Sequence, residues 1–367
     1  MNNILIIEGR RTIGGGQVMT RQICYALKSL FNINVFIPDG DSDISIYLKE
    51  FSQYKFSMIE YSRGNKTFID VLRFVLNFIN GVNTLRKCIH EKNISLLYVQ
   101  TSSLIPVAVI VAKIFNINVI CHLHVYHIDS KSRKLLNFFL SFSNVKSIIG
   151  VSEYTLSQLT EVNRNKSVVL YNCVDVNSIK HVLSNSENYT ISILADVVES
   201  KGQHILLEAV DRLNFPITVN IIGNIINEEY LNSLKSISKS QNINFIGHVS
   251  NVDEWLNKTD IVIVPSLLLF ETFSLAMVEA WSKGIPTIAS NLGGMKELVE
   301  SFLPQHQNNM LFEAGNSNQL SDKISKLLSD LELYNRISND VQVKYKERFT
   351  KDSFYIQIRS LLHQYTV

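Results

Sequence analysis

The stretch Asp260-Ile-Val-Ile-Val-Pro-Ser-Leu-Leu-Leu-Phe-Glu-Thr-Phe-Ser-Leu-Ala-Met-Val-Glu279, closed by Gly284-Ile-Pro286, decides the fold. A β-branched run stops at Pro265-Ser266, a helical pattern follows, and Gly284-Ile285-Pro286 ends it and opens a new strand at Thr287 to Ala289. That is the strand, loop, helix, strand order of a βαβ unit. Glu271 falls in the loop at the helix start and Glu279 two turns inside. On a 3.6-residue helix this spacing rotates the two by only about 80°, so both carboxylates lie near the strand ends. There they can accept hydrogen bonds from sugar or ribose hydroxyls, while the N–H groups of Ser274 and Leu275 can hold phosphate oxygens. A solvent-exposed capping glutamate and a helix-interior glutamate paired with a lysine would show the same spacing.

The same grammar extends in both directions. The first half supplies strands near Ile4 to Ile7, Ile33 to Ile37, Ser95 to Gln100, Val119 to Leu123, Ser147 to Val151 and Val168 to Tyr171. The second restarts it at Ile191 to Leu194, then Ile217 to Ile222, Ile243 to Ile246 and Ile261 to Val264. Helical patterns lie between, as in two α/β domains with parallel sheets. A chain of 367 residues suits two such domains. Val174 to Tyr189 is polar, rich in Asn and Ser, and without apolar period, which marks a linker. The expected organisation is a Rossmann-like domain over 1–172, a linker over 173–189 and a second Rossmann-like domain over 190–348. Open parallel sheets bind ligands beyond the carboxyl ends of their strands, so a site fed by loops of both domains across a cleft is expected.

Composition narrows the class. Hydrophobic residues make up 46% and charged residues 19%, which is ordinary globular usage. A formal charge of +2 gives no footprint of a nucleic-acid binder. Met-Asn-Asn-Ile-Leu-Ile-Ile-Glu reads as a first strand, not a signal peptide, and a cytoplasmic protein is expected. Cys24, Cys88, Cys121 and Cys173 are scattered, which suggests neither a disulfide framework nor a zinc site. Leu104 to Ala112 is too short for the roughly 20 apolar residues of a spanning helix and reads as a buried helix.

A longer set of motifs surrounds the glutamate pair. Phe245-Ile-Gly-His, Thr259 to Ser266, Glu271 and Glu279 with Ala280, Gly284-Ile-Pro-Thr-Ile-Ala-Ser290 and Gly293-Gly-Met-Lys-Glu297 follow in order. Lys201-Gly202-Gln203, Ile222-Gly223, Tyr171-Asn172-Cys173-Val174-Asp175 and Gly14-Gly15-Gly16 add to them. In these the chain resembles glycosyltransferase family 4, retaining transferases of the GT-B fold, in which two Rossmann-like domains face each other across a cleft. The resemblance covers nearly the whole chain, and in the family the last helix, here within 349–367, returns to the N-terminal domain.

The resemblance implies roles residue by residue. Glu271 contacts the donor sugar's hydroxyls, Lys201 neutralises the donor diphosphate, and His124 faces the donor sugar. Gly15, Gly16, Gly223, Val249, Phe273, Ser274, Leu275 and Glu279 complete the donor site, with Glu279 on the ribose. The donor is a nucleotide diphosphate sugar as co-substrate, and no metal or other cofactor is required. The acceptor is a saccharide, expected to be a lipid-linked oligosaccharide of bacterial O-antigen or capsule synthesis. One departure stands out: the family usually has an arginine five residues before the lysine, and here that position is Asp196, which cannot neutralise a diphosphate. Arg10 and Arg11, just before the glycine run, are the candidate substitutes. Cys173 and Ser274 stand at family glycine positions and are tolerable unless positive φ is required there.

Other clusters are weaker. On a strand His122 and His124 point to one face, which makes a metal site conceivable, but no partner with ligand spacing accompanies them. Asp41-Ser42-Asp43 mimics a metal-binding DxD and is discounted, because such acidic triplets are common in turns. Met19 stands where a third glycine would complete GxGxxG, which counts against a nicotinamide enzyme. Lys131 to Phe142 and Lys66 to His90 mix basic residues with Leu and Phe on helical spacing, which suits either a helix packed on the sheet or peripheral contact with an anionic inner-leaflet membrane. A non-catalytic nucleotide-sugar-binding subunit and a sugar-nucleotide epimerase on the same fold are the rival readings.

Overall fold

Seven strands form the first sheet: β1 Asn2–Ile7, β2 Phe31–Pro38, β3 Ser52–Phe56, β4 Ile94–Val99, β5 Asn118–Leu123, β6 Val145–Gly150 and β7 Ser167–Val169. The structure is a computed structural model and describes residues 1–40, 43–57, 68–175, 183, 188–237, 242–269 and 271–366. Most of the stretch 173–189 expected as linker, together with Asp41, Ser42 and Lys66, lies outside those residues.

All pairings in this sheet are parallel, in the order β3-β2-β1-β4-β5-β6-β7. The continuous run Ile4-Leu5-Ile6-Ile7 explains the central place of β1, since a strand covered on both faces needs apolar side chains at every position. Helices Phe68–Lys92, Ile105–Ile114 and Ser130–Leu140 pack side by side, and Leu85, Ile105, Val109, Leu136 and Leu140 join the core beneath them. Asn93 and Asn116 stop the first two in the left-handed region, at φ 47° and 54°, where Asn costs less than other side chains. The helix Lys351–Leu362 packs on the helix Gly15–Leu27: Tyr355 Oη donates to Gln22 Oε1 at 2.7 Å and Arg359 Nε to the Ala26 carbonyl at 2.7 Å.

The second sheet holds β8 Tyr189–Leu194, β9 Ile217–Ile222, β10 Asn242–Gly247, β11 Ile261–Val264, β12 Thr287–Ser290 and β13 Leu311–Phe312. It is also parallel, in the order β10-β9-β8-β11-β12-β13. Its core includes Trp281, whose Nε1 donates to Thr287 Oγ1 at 2.9 Å, and Phe349, ringed by Phe273, Trp281 and Phe302. The chain divides into two compact units, Met1–Tyr171 with Phe354–Val367, and Asn172–Ser353.

Two strands carry no clear signal in the sequence. β3, Ser-Gln-Tyr-Lys-Phe, is a polar edge strand with Phe56 as its one core residue, and β13 has only two residues. β7 begins at Ser167 and ends at Val169, not at Tyr171 as the apolar run suggests. Among the described residues no helix is long and apolar enough to cross a membrane.

Each sheet reverses its order once, between β1 and β4 in the first and between β8 and β11 in the second. Loops diverge at such switch points and leave a crevice beyond the carboxyl ends of the strands.

Candidate functional site

In the second unit the loops after β8 and β11 flank the switch point, and they carry Lys201 and Glu271. Lys201 closes a single 3-10 turn, and its Nζ donates to Glu271 Oε2 at 2.5 Å, with the two side chains 30% and 21% exposed. The pairing is set by close backbone packing. Leu267 N donates to the Ser200 carbonyl at 2.9 Å, and Gly202, at φ +70°, passes so near that a Cβ there would stand 2.1 Å from the Pro265 carbonyl oxygen. Only glycine lets the lysine loop reach the glutamate loop.

Glu279 lies on the helix Leu275–Ser282, half-buried and with no ion pair among the described residues. Lys283, four residues on, is fully buried and turns instead to Asp253, at 3.3 Å. Burial, with the charge of Asp253 adding, raises the Glu279 carboxyl to about 7. A carboxyl held half-buried without a cation suits hydroxyl donors from a ligand.

Ser274 caps this helix, its hydroxyl accepting from Met277 N at 3.4 Å, while Leu275 opens the first turn half-buried. Ser274 has φ −97°, and Asn93 and Asn116 are the non-glycine residues with positive φ among those described, so neither Ser274 nor Cys173 is strained at its family glycine position. The Phe273 ring is buried beside Phe349. Gly223 follows β9 and donates its N–H to the Gly247 carbonyl at 2.9 Å, and Val249 lies half-buried in the loop after β10. Lys201, Gly223, Val249, Glu271 and Ser274 thus all stand on loops or a helix start beyond the carboxyl edge of one sheet.

Asp196 has structural work of its own. Its Oδ1 accepts from the backbone and side-chain amides of Asn224 at 3.3 and 3.1 Å, and its carbonyl accepts from Gln203 Nε2 at 2.9 Å. It braces the loop after β8 against the loop after β9.

In the first unit His124 follows β5 and pairs through Nε2 with Gln100 Oε1 at 2.9 Å. Burial, with the nearby charge of Arg10 adding, lowers its imidazole to about 4, so it is neutral in the physiological range. His122 shares that face, its ring centroid 4.3 Å from that of His124, but its Nδ1 pairs with Tyr98 Oη at 2.9 Å. Among the described residues no three His, Cys, Asp or Glu side chains gather as a metal site requires.

Gly14 caps the helix Gly15–Leu27 and donates its N–H to Gln17 Oε1 at 3.1 Å. A Cβ on Gly16 would meet nothing within 4 Å, so the fold itself does not demand a glycine there. Arg11 is bound to Asp39 at 2.9 Å, whereas Arg10 is exposed and makes no ion pair among the described residues. The sequence pointed to neither Gln100 nor Glu8, a buried carboxyl group at the end of β1. What could have flagged them is position, each being a polar residue just beyond an apolar strand at a switch point.

Two parallel doubly-wound sheets of this order form the GT-B fold. Residues 176–343 match the family described as glycosyl transferases group 1, and residues 13–178 match glycosyltransferase family 4. The chain belongs to glycosyltransferase family 4. It is 26% identical over 230 residues to an uncharacterized glycosyltransferase of Methanocaldococcus jannaschii, a match covering 62% of each chain. To the O-antigen biosynthesis glycosyltransferase WbnH of Escherichia coli it is 23% identical over 355 residues, 91% of this chain and 92% of that one. Its backbone superposes on the crystal structure of Anabaena HepE in complex with UDP with a TM-score of 0.81, 20% identity, and coverage of 99% and 100% of the two chains.

Proposed function

We propose that this chain transfers a glycosyl group from a nucleotide diphosphate sugar to a hydroxyl of a saccharide acceptor, with retention of configuration. The Lys201–Glu271 pair at the second switch point, with Glu279 on the adjoining helix, carries the proposal. Lys201 binds the diphosphate, Glu271 accepts hydrogen bonds from the sugar hydroxyls, and Glu279 accepts them from the ribose. Gly223, Val249, Phe273, Ser274 and Leu275 supply backbone contacts to the nucleotide and sugar. Gly15, Gly16 and His124 of the first unit are proposed as substrate contacts. Arg10, having no ion pair among the described residues, is preferred over Arg11 for the positive charge that Asp196 cannot provide.

In the transfer the acceptor oxygen bonds to the anomeric carbon, the bond from that carbon to the diphosphate oxygen breaks, and the acceptor proton passes to the departing phosphate. Negative charge grows on the diphosphate as the bond breaks, so an ammonium and helix amides beside it stabilise the transition state more than the ground state. No metal enters this scheme.

The relative named for O-antigen biosynthesis supports a surface saccharide as acceptor, and we take that saccharide as a lipid-linked oligosaccharide. A peripheral position on an anionic inner-leaflet membrane fits that acceptor. It is supported by exposed apolar residues on the helix Phe68–Lys92 and by exposed Leu135 and Phe138 beside Lys131 and Lys134.

Thermal shift against a panel of UDP-, GDP- and ADP-sugars tests donor binding, because a ligand of the native state raises its midpoint by mass action. One base class is expected to raise the midpoint, and less so in Lys201→Ala. No shift with any of them would count against the donor site. Products then separate the rivals: a binding subunit releases none, and an epimerase converts the sugar nucleotide without acceptor.

A further inference from the structure

The first unit has a buried carboxyl group that the scheme above does not use. Glu8 follows β1 and is 2% exposed. Its Oε1 accepts from Gly9 N at 2.8 Å, from Arg10 N at 3.0 Å and from Thr101 Oγ1 at 2.9 Å. Its Oε2 accepts from Thr20 Oγ1 at 2.9 Å. All four neighbours are donors, which is the environment a carboxylate satisfies best, and no basic side chain is paired with it among the described residues.

The four donors come from three pieces of chain that meet at the switch point. Gly9 and Arg10 start the loop after β1, Thr101 starts the loop after β4, and Thr20 lies in the helix Gly15–Leu27 that the glycine run opens. Thr101 Oγ1 also accepts from Gly9 N at 2.8 Å, and a Cβ on Gly9 would press to 2.9 Å from the Thr101 methyl, so the turn is drawn tightly onto β4. A side chain meant only to fill this space would be apolar. A buried carboxyl group is costly unless its donors are held in place, and here it in turn holds them.

We propose that Glu8 is a positioning residue for substrate binding. Its carboxyl group fixes the Gly9-Arg10 turn against β4 and the glycine-led helix, and so sets the direction of the Arg10 guanidinium. This rests on the reading that gives Arg10 to the diphosphate. Glu8 does not touch the substrate; it acts through the two backbone amides it accepts from.

The test has two arms. Hydrogen exchange over residues 8–14 reads the turn directly, with Arg10 N as reporter because Glu8 is its acceptor among the described residues. Glu8→Ala is expected to speed exchange there by roughly tenfold or more, and Glu8→Gln, which keeps an oxygen at the Oε1 position, to stay within about threefold of the wild type. Unchanged protection in Glu8→Ala would overturn the proposal. If Glu8→Ala does not fold, Glu8→Asp, which keeps the charge but draws it back from the amides, takes its place.

The second arm is a double-mutant cycle with Arg10→Ala on the donor KM. Arg10→Ala is expected to raise KM roughly tenfold in the wild type and by less than about twofold in Glu8→Ala, since the turn has already lost its aim. Additive effects, or no effect of Arg10→Ala in the wild type, would overturn it while leaving donor turnover intact. Absence of turnover in the wild type would instead sink the transferase reading, and Glu8 would then be judged by exchange alone.

Discussion

Lys201 and Glu271 meet at 2.5 Å, so under the proposed roles an incoming diphosphate competes with a carboxylate for the ammonium, and Glu271 is freed for the sugar if Lys201 turns to the phosphate. Deleting one hydrogen-bond donor that meets charge developing in a transition state costs roughly 10²–10³ in rate. Lys201→Ala is therefore expected to lower kcat/KM for the donor by about a hundredfold, measured as nucleoside diphosphate release. Glu279 makes a separate prediction. Its carboxyl is raised to about 7 by burial and by Asp253, so it is largely protonated below that pH and is an acceptor above it. If it accepts from the ribose, nucleotide-sugar affinity rises from pH 6 to pH 8, by at most about tenfold per unit below 7. The diphosphate of a nucleotide sugar does not titrate in that window, and the neutral His124, lowered to about 4, does not either. Glu279→Gln is expected to flatten the profile in calorimetric titrations; a slope that persists in the variant would remove Glu279 from the ribose. The same shift has a stability sign. The folded state holds the proton more tightly than the unfolded chain, so this group's contribution is full below the ordinary carboxylate value of 4.5 and is lost as pH rises to about 7. At this scale the placement of Lys201 and the glutamate pair on and beside the switch-point loops, and the need for glycine at 202 and 223, were legible, because backbone approach fixes residue type. The roles of Asp196, Gln100 and Glu8 were not, since each depends on which loop lies beside it.

At the scale of the element, the helix Phe68–Lys92 turns two apolar faces in opposite directions. Leu85, Cys88 and Ile89 enter the core, while Phe68, Ile69, Leu72, Val75, Leu76 and Ile79 recur at helical spacing on an exposed stripe. Burial of such side chains is worth about 1.5–3 kcal/mol each, and a stripe of this length is unusual on a surface that meets only water. Flotation with vesicles containing anionic lipid is expected to carry the protein, and Leu72→Glu with Leu76→Glu to release it. Equal flotation of both, or of neither, would detach this helix from the membrane proposal. The sequence showed the mix of basic and apolar residues in this region, but helical period alone cannot separate a core stripe from an exposed one. β3 and β13 were missed for related reasons. An edge strand needs few apolar residues, and a two-residue strand has no period to detect.

At the scale of the whole molecule, the two sheets repeat one plan. Each is parallel, each reverses once, and each gathers its polar side chains on the loops beside the reversal: Glu8, Gln100 and Thr101 in the first, Lys201 and Glu271 in the second. The βαβ order was plain in the sequence because strands covered on both faces must be apolar throughout, and Ile4 to Ile7 and Ile261 to Val264 are. In the proposed function the second unit's switch point binds a nucleotide sugar whose glycosyl group this chain transfers. Release of nucleoside diphosphate from a panel of nucleotide sugars by the purified protein, with Lys201→Ala and Glu271→Gln beside the wild type, decides it. Slow release from one base class without acceptor, faster release with a saccharide acceptor, and loss of roughly a hundredfold or more in both variants are expected. Release that is equal in wild type and variants, or binding of the nucleotide sugar with no release under any acceptor, would contradict it.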